Sequence, residues 1–510
     1  MLSVNLSNFK CSHCSNHIFR MGLLARQGFI NSIIIYAGFG LGYVNVALLM
    51  PKFMSANEMG ARETIVSLAL ILTQFGIFGL QNSFTKFFSN YKKLLRFGLV
   101  EYFLLAVSVF FILVSIVFLF FSDPLTKSLG KLSPITYTHL YLVYLLGFIL
   151  VLNSILESVF RNLLLSAIPV FLKEFLLRVM STMLIAFYAF NHINFTTFLT
   201  LFVLSYSLIS LTLLVMLSKR KIICLRLPLK TLQIIDVKNI ARYASYTFVI
   251  ATAGILVIQI DKVMISSFIN EYSTGIYTLA VYIATLIEIP KRAIVQTSSP
   301  LIAKAWAENN KQKVIELLKA TSIGQQLIGS FLFILLWSSI DSIYHIIPKD
   351  DIFITGKWVV LFIGLSKVLT MTFGATNEVL AYSSKYKFNL YFSIGIICLT
   401  VITNFSLIPK YGITGAALAS LITIAISNFS KWVFNLFIFQ INCFSRNSLF
   451  VLLISLITLI LGLLLPSFNN HYISIGIKSI LITSVFLSSI YFFKASPEFN
   501  GAVKKYILKK

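Results

Sequence analysis

The chain has 510 residues, of which 58% are hydrophobic, with a mean hydropathy of +0.88. A soluble domain has no core large enough to bury so much apolar surface, so a water-soluble enzyme or binding module is excluded. The net charge of +25, from 42 basic and 17 acidic residues, does not point to nucleic acid. The basic residues sit between apolar blocks, where they orient a membrane protein and meet anionic headgroups. Five cysteines are scattered without a disulfide framework.

Residues 1–20 form a polar tail with no cleavable signal. Cys11, His13, Cys14 and His17 have zinc-like spacing but no second ligand pair, so the tail is expected to hold no metal. Beyond it, apolar blocks recur at about 20 residues, the length of a membrane-crossing helix. They are predicted at 29–50, 64–82, 98–122, 137–157, 173–192, 194–217, 244–267, 275–293, 322–345, 358–382, 388–409, 414–439, 449–466 and 474–493. Backbone polar groups must be satisfied in lipid, so these blocks are helices. The expected fold is an all-α polytopic membrane protein of about fourteen spans.

Lys and Arg favour alternate loops by about fourfold, which places both termini in the cytoplasm. The longest break on that side, 218–243, divides a first lobe (21–217) from a second (244–439), followed by 440–510 with two extra spans and a basic tail. The lobes echo each other. Phe53-Met54-Ser55-Ala56-Asn57-Glu58-Met59-Gly60 follows the first span, and Phe268-Ile269-Asn270-Glu271-Tyr272-Ser273-Thr274-Gly275 follows the seventh. Equal direction in both halves means a parallel repeat about a pseudo-two-fold along the membrane normal.

No GxxxxGK[ST] loop is present, loops on the outer side are short, and His139, His192, His345 and His471 stand apart. Neither ATP-driven transport nor enzyme chemistry is expected, and no cofactor is implied. Segment 300–319 reads as an amphipathic surface helix. Charges within spans are more informative, because each costs about 2.5–3.5 kcal/mol at mid-bilayer on insertion scales. The deep ones are Asp261, Lys262, Lys367 and Lys431, while Glu174 and Arg178 form an expected i,i+4 pair. Lys262, Lys367 and Lys431 are candidate contacts for an anionic substrate; snorkelling to the interface is the alternative. Neighbouring helix residues point about 100° apart, so Asp261 and Lys262 cannot neutralise each other. One is expected to face a cavity and the other a neighbouring helix, with fixed ion pairs between helices as the alternative.

Met21-Gly22 with Arg26-Gln27, Pro51-Lys52-Phe53, Ile260-Asp261-Lys262-Val263-Met264-Ile265, Gly275-Ile276-Tyr277 and Ile408-Pro409-Lys410-Tyr411-Gly412-Ile413-Thr414-Gly415 resemble the Wzx-type O-antigen flippases of the multidrug/oligosaccharidyl-lipid/polysaccharide superfamily. The resemblance runs from about residue 21 to the C-terminus. It implies two six-helix lobes in a V around a central cavity, plus two C-terminal helices. It also implies movement of an undecaprenyl-diphosphate-linked oligosaccharide across the bacterial inner membrane by alternating access. Arg26 resembles the family's basic residue before the first span and joins the substrate candidates. Asp261 is a candidate for coupling to H⁺ or Na⁺, or for holding the site together. The expected partners are the lipid-linked oligosaccharide, membrane lipids, a polysaccharide polymerase and glycosyltransferases, with no nucleic acid. A cation-coupled multidrug exporter is the alternative on the same scaffold. The orientation has a direct check: a cysteine at Asn270 should react with a reagent confined to the periplasm, and one at Lys221 should be protected. The reverse pattern would invert the topology.

Overall fold

The structure is a computed structural model and describes residues 31, 33–91, 94–95, 98–128, 134–223, 235–466, 468–497 and 499–501. The polar tail and Arg26 lie outside the described residues, as does much of the break between the lobes. Helix occupies each of the predicted segments. The first lobe holds α1 (Ile33–Phe53), α2 (Ala56–Ile77), α3 (Leu80–Tyr91), α4 (Leu99–Ser128), α5 (Leu140–Asn162), α6 (Leu177–Ala189) and α7 (Phe195–Lys219). The second holds α8 (Val237–Phe268), α9 (Glu271–Thr285), α10 (Ile289–Ala307), α11 (Lys311–Ser338), α12 (Lys357–Thr372) and α13 (Phe388–Phe439). Two further helices, α14 (Arg446–Leu464) and α15 (His471–Phe492), pack on α11 through Ile334, Ile454, Ile482 and Phe486. Their outer faces expose Leu452, Leu456, Leu463 and Ile480, as a lipid-facing surface does.

Among the described residues, ten helices are long and apolar enough to cross a membrane, or eleven when α2 and α3 count as one bent span. The shortfall from the expected count has local causes. The fifth segment carries Lys173, Glu174 and Arg178. The eighth is interrupted by the 3₁₀ turn Leu286–Glu288. The eleventh and twelfth run together in α13, which kinks at Gly412 (φ 59°, ψ −138°), a conformation open to glycine. The predicted surface helix at 300–319 is a correction. Its two halves belong to α10 and α11, separated at Asn309 (φ 53°), and Asn310 caps α11 by accepting from the Lys313 amide at 2.9 Å. The apolar residues among its charges are the packing faces of two helix ends: Ile302, Val314 and Leu318 are buried together.

The lobes meet at one end through the repeated motif itself. A methyl group on Gly60 would overlap the Glu271 carbonyl, and one on Gly275 would overlap the Ala56 carbonyl. Ala56 and Glu271 occupy the same place in the two motifs, so the contact is reciprocal, and it lets α2 and α9 cross with backbones touching. Glu271 also reaches across the lobes, accepting from the Thr136 amide at 3.0 Å and from its hydroxyl. Lys349 donates to the Met54 carbonyl at 2.7 Å.

A second seam joins α2 and α3 to α8 along their lengths. Phe78 (φ 43°) and Gly79 (φ 72°) bend the α2–α3 pair by 42°. The bend lays α3 on the start of α8, where Ser83 donates to the Ile240 carbonyl at 3.3 Å. Gly38 and Gly42 of α1 are close-packing positions, against Glu174 and against Arg178 with Tyr282, whereas nothing lies within 4 Å of a Cβ built on Gly40. Gly60→Leu should therefore part the lobes at the glycine crossing, at an overpacking cost of about 1–3 kcal/mol. Gly40→Leu should not. Pulsed electron resonance between labels at Lys52 and Tyr272 checks this, and equal distances in the two variants would refute the crossing.

Candidate functional site

Beneath the glycine crossing lies a cavity between the lobes, in two compartments that share Ile258 of α8 in their walls. The compartment on the first-lobe side measures about 620 Å³ and the one on the second-lobe side about 860 Å³.

Lys262 is 8% exposed and lines the first-lobe compartment. Its ammonium donates to Glu63 Oε1 at 2.6 Å and to Gln259 Oε1 at 3.3 Å. Glu63 belongs to α2, so this ion pair bridges the lobes. Ser67 donates to the same Gln259 oxygen at 3.0 Å, one turn further along α2. Arg62 stands beside Glu63 at 3.6 Å and stacks over the Phe202 ring at 4.3 Å. Hydropathy alone places the start of this span at 64 and so passes over Glu63. The helix begins at Ala56 because Ser55 and Glu58 form a capping box, with the Glu58 amide donating to the Ser55 hydroxyl at 3.2 Å. Two more pairs line the compartment: Arg178–Glu174 at 3.0 Å, as expected, and Lys173–Glu157 at 3.1 Å. Glu157, near the end of α5, is thus a paired cavity residue.

Asp261 points the other way. It is 3% exposed and sits among helices of the second lobe. Asn404 donates to its Oδ1 at 2.6 Å; Tyr277 at 2.7 Å and Ser420 at 2.5 Å donate to its Oδ2. Among the described residues it makes no ion pair. Three neutral donors satisfy most of a carboxylate's acceptor capacity and tie α8, α9 and both halves of α13 together.

Lys367 and Lys431 line the second-lobe compartment. Lys367 pairs with Glu288 at 2.7 Å, and Lys291 pairs with the other oxygen of the same carboxylate at 2.9 Å. Lys431 donates to the amide oxygen of Asn377 at 2.9 Å. The remaining charged residues in the wall are Lys86, Arg161 and Glu378. The three predicted lysines are therefore divided, Lys262 in one compartment and Lys367 with Lys431 in the other. Outside the cavity, His345 and His471 are not isolated: their rings stack at 4.6 Å, and His345 Nδ1 lies 2.7 Å from Asp350.

No family model matches the sequence, and no curated protein matches it. Solved structures do. The chain is similar to the lipid II flippase MurJ in an inward closed conformation, with a TM-score of 0.72 at 16% identity, covering 91% of this chain and 98% of that one. It is similar to an inward-facing multidrug resistance MATE family transporter of the MOP superfamily, with a TM-score of 0.57 at 13% identity, covering 80% and 94%. A mutant of the Vibrio cholerae MATE transporter VcmN gives a TM-score of 0.55 at 11% identity, covering 82% and 97%. The chain shares the fold of these structures, and its long apolar helices are those of a multi-pass membrane protein.

The Asp261 cluster makes two substitutions diverge. In Asp261→Asn the new amide oxygen still accepts from Asn404, and the new NH₂ meets hydroxyls of Tyr277 and Ser420, which can turn to accept. Asp261→Ala leaves three buried donors unpaired, each at a cost of about 1–3 kcal/mol. In detergent, Asp261→Asn should melt near the wild type and Asp261→Ala several degrees lower. Equal melting of the two would show that the network does not hold the second lobe.

Proposed function

We propose that this chain flips an undecaprenyl-diphosphate-linked oligosaccharide across the bacterial inner membrane, for O-antigen, capsule or exopolysaccharide assembly, by alternating access between its lobes. The observation that carries this reading is the cavity beneath the glycine crossing, whose walls hold more cations than carboxylates. An anionic headgroup suits such a site. With both termini cytoplasmic, the crossing closes the periplasmic side and the cavity belongs to the cytoplasmic phase of the cycle. The polyprenyl tail stays in lipid while diphosphate and sugar cross through the protein. Glycosyltransferases supply the substrate and a polymerase consumes it.

Lys262 has the central role. Its partner Glu63 lies on the opposite lobe, so a diphosphate that replaces Glu63 at the ammonium loosens a bond between lobes as it binds. This links substrate binding to lobe movement through one differential contact. Lys367 and Lys431 hold further anionic groups of the substrate, and Arg26 guides it at the cytoplasmic entrance. Asp261, lacking a cationic partner, takes up H⁺ or Na⁺ as the lobes move. The cation-coupled multidrug exporter is the weaker reading, because small lipophilic cations favour an acidic site and the cavity walls hold nine basic residues against five carboxylates, of which Glu63, Glu157, Glu174 and Glu288 face Lys or Arg.

Flipping of a defined lipid-linked oligosaccharide by the purified chain in proteoliposomes tests the reading. Lys262→Arg should keep part of the rate. Lys262→Ala, Asp261→Asn and the Lys367→Gln, Lys431→Gln double variant should each lose about tenfold or more, at least ~1.4 kcal/mol, while inserting normally. Full activity of the double variant would favour snorkelling lysines. Efflux of lipophilic cations without flipping would favour the drug exporter.

A further inference from the structure

One of the bonds that close the lobes comes from a strained turn. Lys349, between α11 and α12, has a left-handed backbone (φ 60°, ψ 46°), which residues with a Cβ seldom adopt. Its ammonium donates across the lobes to the Met54 carbonyl at 2.7 Å. Its own carbonyl accepts from the Ile352 and Phe353 amides at 3.1 and 3.3 Å. Such a conformation persists only where its surroundings hold it.

The next residue supplies the hold. Asp350 Oδ2 lies 2.7 Å from Nδ1 of His345, on the short helix Ile340–Ile346. The His345 ring in turn stacks on His471, the first residue of α15, with centroids 4.6 Å apart and planes at 26°. A chain of contacts therefore runs from the C-terminal helix pair, through two imidazoles and a carboxylate, to a bond between the lobes.

Imidazole is the side chain that ordinarily changes charge between about pH 5 and 8. The His345 and Asp350 side chains are each 42% exposed, so protons from solution reach them. A proton on His345 turns its bond to Asp350 into a charge-assisted one, shorter and about twice as strong as a neutral bond. A second proton on His471 gains no such partner, since two stacked cations would share one carboxylate. The other charges nearby are engaged or turned to water. Asp341 pairs with Lys357 of α12 at 2.6 Å, and Lys478, two turns into α15, donates to the Ser338 carbonyl at 3.2 Å. Asp351 and Tyr472 are exposed.

We infer that His345 and His471 form a proton-sensitive clasp on the closure between the lobes. One proton fixes Asp350, Asp350 fixes the Lys349 turn, and Lys349 holds Met54 of the other lobe. His345 is thus a positioning residue, and α15, which stands outside the repeat, helps to govern the closure. The sign follows from linkage: the proton is held more tightly in the closed state, so closure is strengthened in acid and weakens as pH rises through the imidazole range. The use of the clasp in transport rests on the alternating-access reading; the clasp itself does not.

Pulsed electron resonance on the full-length chain in lipid nanodiscs, with labels at Lys52 and Tyr272, tests the clasp between about pH 5.5 and 8.5. The ratio of closed to open populations should rise about fivefold as pH falls. His345→Gln, whose amide still donates to Asp350 but does not titrate, should flatten that response, and Asp350→Asn should do the same. Lys349→Met should lower the closed population at every pH. His471→Phe keeps a ring against His345 and should retain the response, whereas His471→Ala should reduce it. His192→Gln, on a histidine outside the cluster, should leave it intact. A wild-type distance distribution that ignores pH would overturn the clasp, and so would a His345→Gln variant with the wild-type response. Flipping in proteoliposomes is read separately. Flipping without the pH-dependent distance removes the clasp alone, and the distance change without flipping removes the flippase reading alone.

Discussion

Two glycines let the lobes touch backbone to backbone, and the remaining architecture follows from that crossing. Gly60 lies on the Glu271 carbonyl and Gly275 on the Ala56 carbonyl, equivalent places in the two copies of the motif. No side chain larger than hydrogen fits at either position. A crossing this close brings α2 and α9 together at one end, and Thr136 and Met54 are then near enough to bond Glu271 and Lys349. It also makes a boundary: below it, where Arg62, Glu63, Lys262 and Thr278 reach inward, the space between the lobes opens.

That space is governed by the cost of charge away from bulk water. Removing one partner of a buried pair costs several kcal/mol, because the other is left uncompensated. The first-lobe compartment obeys this closely, with every carboxylate held by a cation. The pair Glu63 with Lys262 differs from the others in kind rather than in geometry: its two halves stand on α2 and α8, one from each lobe. The second-lobe compartment departs from strict pairing, since Lys291 and Lys367 divide one carboxylate and Lys431 leans on an amide. Such incomplete matching suits a wall that meets an anion rather than one that only holds a fold.

Asp261 and Lys262 show how helix geometry gives adjacent residues separate surroundings. A turn of about 100° per residue sends one side chain into the cavity and the other into the packing of the second lobe. The buried carboxylate gathers a phenol, a hydroxyl and an amide from α9 and from either side of the Gly412 kink. Its oxygens are thus met chiefly by neutral hydrogen-bond donors, with no ion pair among the described residues. The kink matters here, because it turns the second half of α13 back along the first and allows Asn404 and Ser420 to reach the same carboxylate.

The amino-acid sequence determined the class of the protein, the positions of its helices and the repeat that relates its lobes, because each is written in local signals: apolar blocks of membrane length, loop charge, and a motif repeated at equivalent hairpins. It also determined that Asp261, Lys262, Lys367 and Lys431 are costly where they stand and need partners, since the cost depends only on depth. Who those partners are was decided by tertiary structure. Glu63 and Lys262 are 199 residues apart, and Asp261 and Ser420 are 159 apart. No periodicity connects such positions. Glu63 lay beyond the hydropathy window because a capping box starts α2 before the apolar run does, and the break that divides segment 300–319 between two helices rests on one positive φ at Asn309. The division of the candidate lysines between two compartments has the same origin: a side chain's neighbours depend on how helices cross, and here two glycines set that crossing.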